Sequence, residues 1–168
     1  MQTRPDAVAG TGLLVAAIRA RESTRDDPLF TDPFADKLAG EAGHRILDAA
    51  LATSGERTTM QIVVRTRFWD DGLLDAAASC RQIVLLAAGM DARAYRLTWP
   101  PGTTVFELDQ PSVIAAKNAL LADDSPTCSR VAIGGGPRGR LARFSGGRRL
   151  RLGDPPDGMA DRRTAAVP

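Results

Sequence analysis

Histidine, cysteine, aromatic residues and long apolar runs are all scarce in this chain of 168 residues. The single histidine, His44, stands between Gly43 and Arg45 on a segment far in sequence from any strand end, so it reads as a surface residue rather than a proton shuttle. The two cysteines, Cys80 and Cys128, are not paired as C-x-x-C, so neither a zinc site nor a disulfide framework is indicated and buried or idle thiols are expected. No stretch approaches the roughly 18 uncharged apolar residues of a membrane helix. The opening MQTRPDAVAG has no apolar core behind a basic start, so no secretory signal is read there and a cytoplasmic location is expected. What is present is ordinary globular composition, 43% hydrophobic and 25% charged, in about one domain's length. That excludes collagenous, coiled-coil and wholly disordered classes.

The net charge of +2 conceals a split. Residues 134–168 hold eight Arg against three Asp, together with eight of the 16 Gly and four of the 11 Pro. Such a segment has too little apolar surface to offset its ordering entropy. The division expected is therefore a structured region over 1–133 and a disordered Arg/Gly/Pro-rich tail over 134–168, with no internal repeat in either.

Along the structured part, Leu14, Ala17, Ile18 and Arg21 fall at helical spacing in VAGTGLLVAAIRARES. A proline-containing loop follows. Asp32 before Pro33 reads as an N-cap with proline at the first helical position, opening a second helix through FADKLAGEAGHRILDAALA that Gly40 and Gly43 weaken. From Met60 onward, Ile62, Thr66, Trp69, Leu73 and Ala77 mark the buried stripe of a third helix. Then the period changes. QIVLLAA, TTVFELD and SRVAI are continuous apolar runs of strand length, with the helical PSVIAAKNALLA between the second and third. This alternation predicts parallel βαβ geometry, in which ligands bind beyond the carboxyl ends of the strands, at the loops after Ala88 and Leu108.

After the first strand comes AAGMDARAYRL, where Gly89 lets the backbone turn sharply against a ligand and Asp91 serves as an acceptor or a helix cap. The second strand ends in Glu107 and Asp109, 18 and 20 residues beyond Gly89. That is the spacing at which an acidic side chain meets the ribose hydroxyls of a nucleotide. Asp109 has an equal alternative as a cap of the following helix. A nicotinamide dinucleotide would want G-x-G-x-x-G, but the three glycine positions hold Ala87, Gly89 and Ala92. The pyrophosphate cradle is poorly supported, and a nucleoside without phosphates, such as S-adenosylmethionine, fits better.

The strings RTRFWDDGL, VLLAAGMDARAYRL and FELDQPSVIAAKNALLA, preceded by AAIRARES and PLFTDPFA, resemble the motifs of the leucine carboxyl methyltransferase-like family in its actinobacterial branch. The resemblance runs from about Gly12 to Ile133. It implies an α/β, Rossmann-like class I methyltransferase fold, here an N-terminal helical segment plus about three parallel strands. It also implies S-adenosyl-L-methionine as methyl donor and an oxygen acceptor, typically a carboxylate, on a small molecule. Carried over residue by residue, Gly89 and Asp91 lie in the turn against the donor and Asp109 matches the acidic residue on the ribose. Arg65 matches the arginine on the methionine carboxylate, for which a guanidinium fork is well shaped. Arg67 is the alternative in a shifted register, Arg19 a helper at the same carboxylate, and a solvated helix face the plain alternative for all three. The sulfonium is an activated leaving group, so a carboxylate acceptor needs alignment and desolvation more than a base.

Two departures from the family pattern stand out. Ala87 occupies a position where glycine is usual. The third strand, in addition, is followed by GGGPRGRLARFSGGRRLRLG instead of an Asp-Leu pair at the adenine. Gly136-Pro137 written GGA-CCN and read one base later gives Asp and, with T at the open position, Leu. With 20 Arg against 2 Lys implying a GC-rich gene, the tail reads as a shifted frame. Its rivals are a natural divergence and a basic tail that binds nucleic acid. Phe144 is the tail's single aromatic, which leaves little for base stacking. On this reading the first strand keeps an unprotected edge, and methyl transfer by this chain is expected to be weak or absent. A non-enzymatic donor-binding remnant, or a protein whose Arg-rich tail associates with acidic partners, is the alternative from a different class.

Overall fold

The computed structural model describes residues 6–135 and 164–167. Three helices come first, α1 (Asp6–Ser23), α2 (Ala35–Ser54) and α3 (Glu56–Ser79). They lead into β1 (Gln82–Leu86), the short α4 (Arg93–Arg96), β2 (Thr104–Asp109), α5 (Pro111–Leu120), β3 (Ser129–Gly134) and β4 (Thr164–Val167). The strands form one sheet in the order β3-β2-β1-β4, every neighbouring pair parallel. Val84 pairs with Phe106 and Phe106 with Val131, so the three apolar runs lie side by side in register. The central residues of β1 and β2, including Ile83, Leu85 and Val105, are buried, as expected of parallel strands covered on both faces, while those of β3 are only partly buried. This is the parallel βαβ geometry that the alternation predicts and the α/β Rossmann-like architecture that the resemblance implies.

α1 packs along α2, and the contact depends on Gly43. A Cβ there would stand 2.8 Å from the Leu13 carbonyl oxygen, so only hydrogen fits between the helices. α2 is kinked at Gly40, the residue expected to weaken it. α2 opens at Ala35, however, and not at Pro33. The predicted cap Asp32 is instead a buried carboxylate: Oδ1 accepts from the Phe34 amide at 3.1 Å, while Oδ2 meets Arg19 at 2.8 Å. Arg96 stands 3.5 Å from the same Oδ2, so the carboxylate lies between two guanidiniums.

α3 begins at Glu56, four residues before the expected start, and buries Thr66, Leu73 and Ala77 as the stripe predicts. Trp69 and Ile62 are partly buried against the core. Asp70 is also buried on this helix. Cys80 is buried with its thiol donating to the Gln82 carbonyl, and burial pushes the half-buried Cys128 thiol up to about 11, so neither is poised as a nucleophile.

The sheet carries a fourth strand that the sequence pattern does not announce. Thr164–Val167 pairs with β1 from Gln82↔Thr164 to Leu85↔Val167. The expected open edge of β1 is thereby covered, by four residues that the division at 133 assigns to the tail. A short alternation-free TAAV gives too little periodicity to be recognised, and its pairing is a long-range contact. Residues 136–163 and 168 lie outside the described residues, and with them most of the disorder and reading-frame expectations. Among the described residues, no helix is long and apolar enough to cross a membrane.

Candidate functional site

The carboxyl ends of β1 and β2 open on a cavity of about 310 Å³, closed from the other side by α1 and α3. All five residues singled out from the sequence, Arg19, Arg65, Gly89, Asp91 and Asp109, lie on its wall. They come from four different segments. Arg67 does not reach it: its guanidinium bonds Asp71 at 2.8 Å and the Leu29 carbonyl at 2.9 Å, on the solvent side of α3. The ambiguity of register between Arg65 and Arg67 is a matter of helix face, and α3 sets Arg65 at the cavity mouth.

The loop after β1 is shaped by backbone conformation. Gly89 has φ +48°, and Ala87, two residues before, has φ +50°. A side chain at Gly89 would point toward the Gly12 Cα at 3.9 Å, so α1 and this loop approach through glycine on both sides. Ala87 carries its methyl in a left-handed conformation that costs an alanine about 1–2 kcal/mol. Glycine there would lose about 0.4–1 kcal/mol of that through its freer unfolded chain. Ala87→Gly is therefore expected to stabilise the fold by up to about 1 kcal/mol, seen as a higher urea midpoint with an unchanged slope.

Asp109 ties the two strand ends together. Its Oδ2 accepts from the Gly89 amide at 2.6 Å and its Oδ1 from the Gln110 amide at 2.6 Å. A carboxylate offers about four acceptor positions, so roughly two remain for a ligand facing the cavity. The N-cap of α5 is Gln110, with Pro111 in the first turn, so Asp109 is not that helix's cap residue. Glu107 is elsewhere. It is fully buried between Lys117 at 2.8 Å and Arg130 at 2.7 Å, an ion cluster that ties α5 to β2 and β3. Burial lowers the Lys117 ammonium from its usual range, against the opposing pull of Glu107 and Asp91.

A second charge cluster, which sequence reasoning missed, runs along the cavity wall. Asp32 meets Arg19 and Arg96, Arg96 meets Asp70 at 2.7 Å, Asp70 meets Arg93 at 2.7 Å, and Arg93 pairs with Asp91. Burial would raise the Asp91 carboxyl, but the charges of Arg93, Lys117 and Arg19 outweigh it and hold Asp91 well below the usual carboxylate range. Asp91 accepts from the Arg93 amide and pairs with its guanidinium, so it sets Arg93 in place. Arg19 is likewise committed, to Asp32 at 2.8 Å and to the Met90 carbonyl at 2.6 Å. Arg65 is different: it is exposed at the mouth, and among the described residues it has no ion-pair partner. The only sequence signal for Asp70 and Arg93 is their position inside the motifs RTRFWDD and MDARAYR.

His44 bonds Asp36 at 2.8 Å on α2 and is not on the cavity. No group of three or more metal-ligating side chains occurs among the described residues.

Compared with known families, residues 12–136 match the model of leucine carboxyl methyltransferase. The chain belongs to that family. A protein of Mycolicibacterium smegmatis named "Putative S-adenosyl-L-methionine-dependent methyltransferase" is 44% identical over 139 residues, covering 75% of this chain and 46% of that protein. A protein of the same description from Parafrankia is 44% identical, covering 75% and 44%. One from Mycobacterium tuberculosis is 46% identical over 127 residues, covering 69% and 39%. The chain thus spans less than half the length of these relatives. Within the leucine carboxyl methyltransferase family match fall every cavity residue named above and the whole β1-α4-β2-α5-β3 unit.

Proposed function

We propose that this chain is the donor-binding half of an S-adenosylmethionine-dependent methyltransferase, which O-methylates a carboxylate or hydroxyl of a small molecule and is at most weakly active on its own. The observation that carries the reading is the convergence of Arg65, Gly89 and Asp109 on one cavity at the carboxyl end of a parallel sheet. The groups present fit the donor. The cavity lies at the low end of the ~300–1,000 Å³ usual for small-molecule sites. Asp109 keeps acceptor capacity for ribose hydroxyls, the Gly12–Gly89 approach admits a ligand close to backbone, and Arg65 presents an unpaired cation for the methionine carboxylate. Arg19 and Asp91, already committed to neighbours, shape the wall beside it.

The donor supplies a methyl group on a positively charged sulfur. What the chain contributes is orientation and exclusion of water, with Trp69 and Met90 on the apolar side of the cavity and no general base required.

Calorimetric titration with S-adenosylmethionine tests the proposal. Saturable binding is expected, weakened about tenfold or more in Arg65→Ala by loss of a charge-assisted pair, and changed less than about twofold in Arg67→Ala. Absence of saturable binding by the folded wild-type chain, for the donor and for S-adenosylhomocysteine alike, would overturn it.

A further inference from the structure

The outward face of α3 is apolar. Met60, Val64 and Phe68 follow one another at steps of four, so they stand on one side of the helix, and they are 48%, 52% and 66% exposed. They form the floor of an open trough of about 550 Å³ bordered by Arg57, Gln61 and Arg65. Three apolar side chains, two cations, one amide and no acid make up this lining. Among the described residues neither Arg57 nor Arg65 has an ion-pair partner, whereas Arg21, Arg45, Arg67, Arg93 and Arg96 are all paired.

The trough adjoins the donor cavity. Arg65 lines both. Phe68 packs edge-on against Trp69, ring centroids 5.3 Å apart, and Trp69 is itself on the cavity wall. A molecule lying along α3 would therefore place its hydrocarbon on Met60, Val64 and Phe68 and bring a negatively charged end toward Arg57 and Arg65, at the mouth of the donor cavity.

We infer that the Met60–Val64–Phe68 face holds the hydrocarbon part of the methyl acceptor, and that the acceptor is an anionic amphiphile, a monomeric long-chain carboxylate. The inference rests on the donor site proposed above and names its second substrate. The reaction balances without a base: the acceptor's carboxylate oxygen forms a bond to the methyl carbon as the carbon–sulfur bond breaks, and that bond's electron pair stays on sulfur. One negative and one positive charge become a neutral ester and a neutral thioether. No proton is released.

The test uses the full chain and dodecanoate below its micellar concentration, titrated by calorimetry, with the S-adenosylmethionine titration run separately. Dodecanoate is expected to bind saturably, dodecyltrimethylammonium and butyrate far more weakly. Val64→Asp places an acid in the floor, and Arg57→Glu one at the border. Each is expected to weaken dodecanoate about tenfold or more while circular dichroism and donor binding are retained. Three results would overturn the inference: no saturable dodecanoate binding; equal affinity for the cationic amphiphile or insensitivity to both substitutions; or a concentration-dependent dimer, abolished by Val64→Asp, that buries the face. Donor binding without dodecanoate binding would sink the acceptor assignment alone. Dodecanoate binding without donor binding would sink the donor-site reading.

Discussion

Replacing Asp109 with alanine is expected to reduce S-adenosylmethionine affinity by about 100-fold, because one side chain does two things at the same place. Its Oδ2 holds the Gly89 amide at 2.6 Å and so sets the turn that approaches the ligand, while its free acceptor positions face the cavity. A hydrogen bond involving a charged group contributes about 1.5–3 kcal/mol, and an orphaned buried donor costs about 1–3 kcal/mol. The alanine variant loses the ribose contacts proposed for Asp109 and leaves the Gly89 amide without its acceptor. The loss of affinity should therefore come with a measurable fall in stability. Asp109→Asn keeps an acceptor oxygen and the shape but not the charge, and should lie between the two. Calorimetry and urea unfolding on the three proteins check this. If donor affinity in Asp109→Ala stays within a factor of three of wild type, the carboxylate does not face the donor.

The second large effect is on the fold. Asp70→Ala is expected to destabilise the chain by about 3–5 kcal/mol, the usual consequence of taking one partner from a buried ion cluster. Asp70 is 4% exposed, and its Oδ1 receives both Arg93 and Arg96 at 2.7 Å. Its removal leaves two guanidiniums in a low-dielectric region with only Asp91 and Asp32 to answer them. Against a total stability on the order of 5–15 kcal/mol, this is a drop in melting temperature on the order of 10 °C. The neighbouring Asp71→Ala provides the contrast. Asp71 pairs with Arg67 where both side chains are more than half exposed, a contact expected to contribute less than about 1 kcal/mol. Thermal unfolding of the two variants side by side checks the difference. Equal melting temperatures would show that the Asp70 cluster contributes no more than a surface pair.

Asp70 and Asp71 also show where sequence reading ends. They are adjacent, identical in type and inside one motif, and only their helical phase, with Asp70 turned toward α4, makes one part of the core and the other a surface residue. The same holds for Arg65 and Arg67. Period and residue type identify α3 and its buried stripe, but a charged residue inside that stripe looks like an exception until its partners are known. Arg93 and Arg96 are 23 and 26 residues away from Asp70 in the chain, and no local pattern joins them.

The amino-acid sequence by itself determined the order of helices and strands, the parallel βαβ unit, and the glycine turn with an acid 20 residues on. It also determined the motifs by which the family could be recognised. These follow from period, β-propensity and turn chemistry, which act over a few residues and are written in consecutive positions. Tertiary structure alone decided that Arg65 and not Arg67 faces the cavity, that Glu107 is neutralised by Lys117 and Arg130 while Asp109 holds Gly89, and that Thr164–Val167 covers the edge of β1. Those outcomes depend on which distant groups are brought within 3 Å of one another. Desolvation makes that pairing decisive, because a buried charge without a partner is too costly to keep and so the packing of the whole chain selects which charges meet.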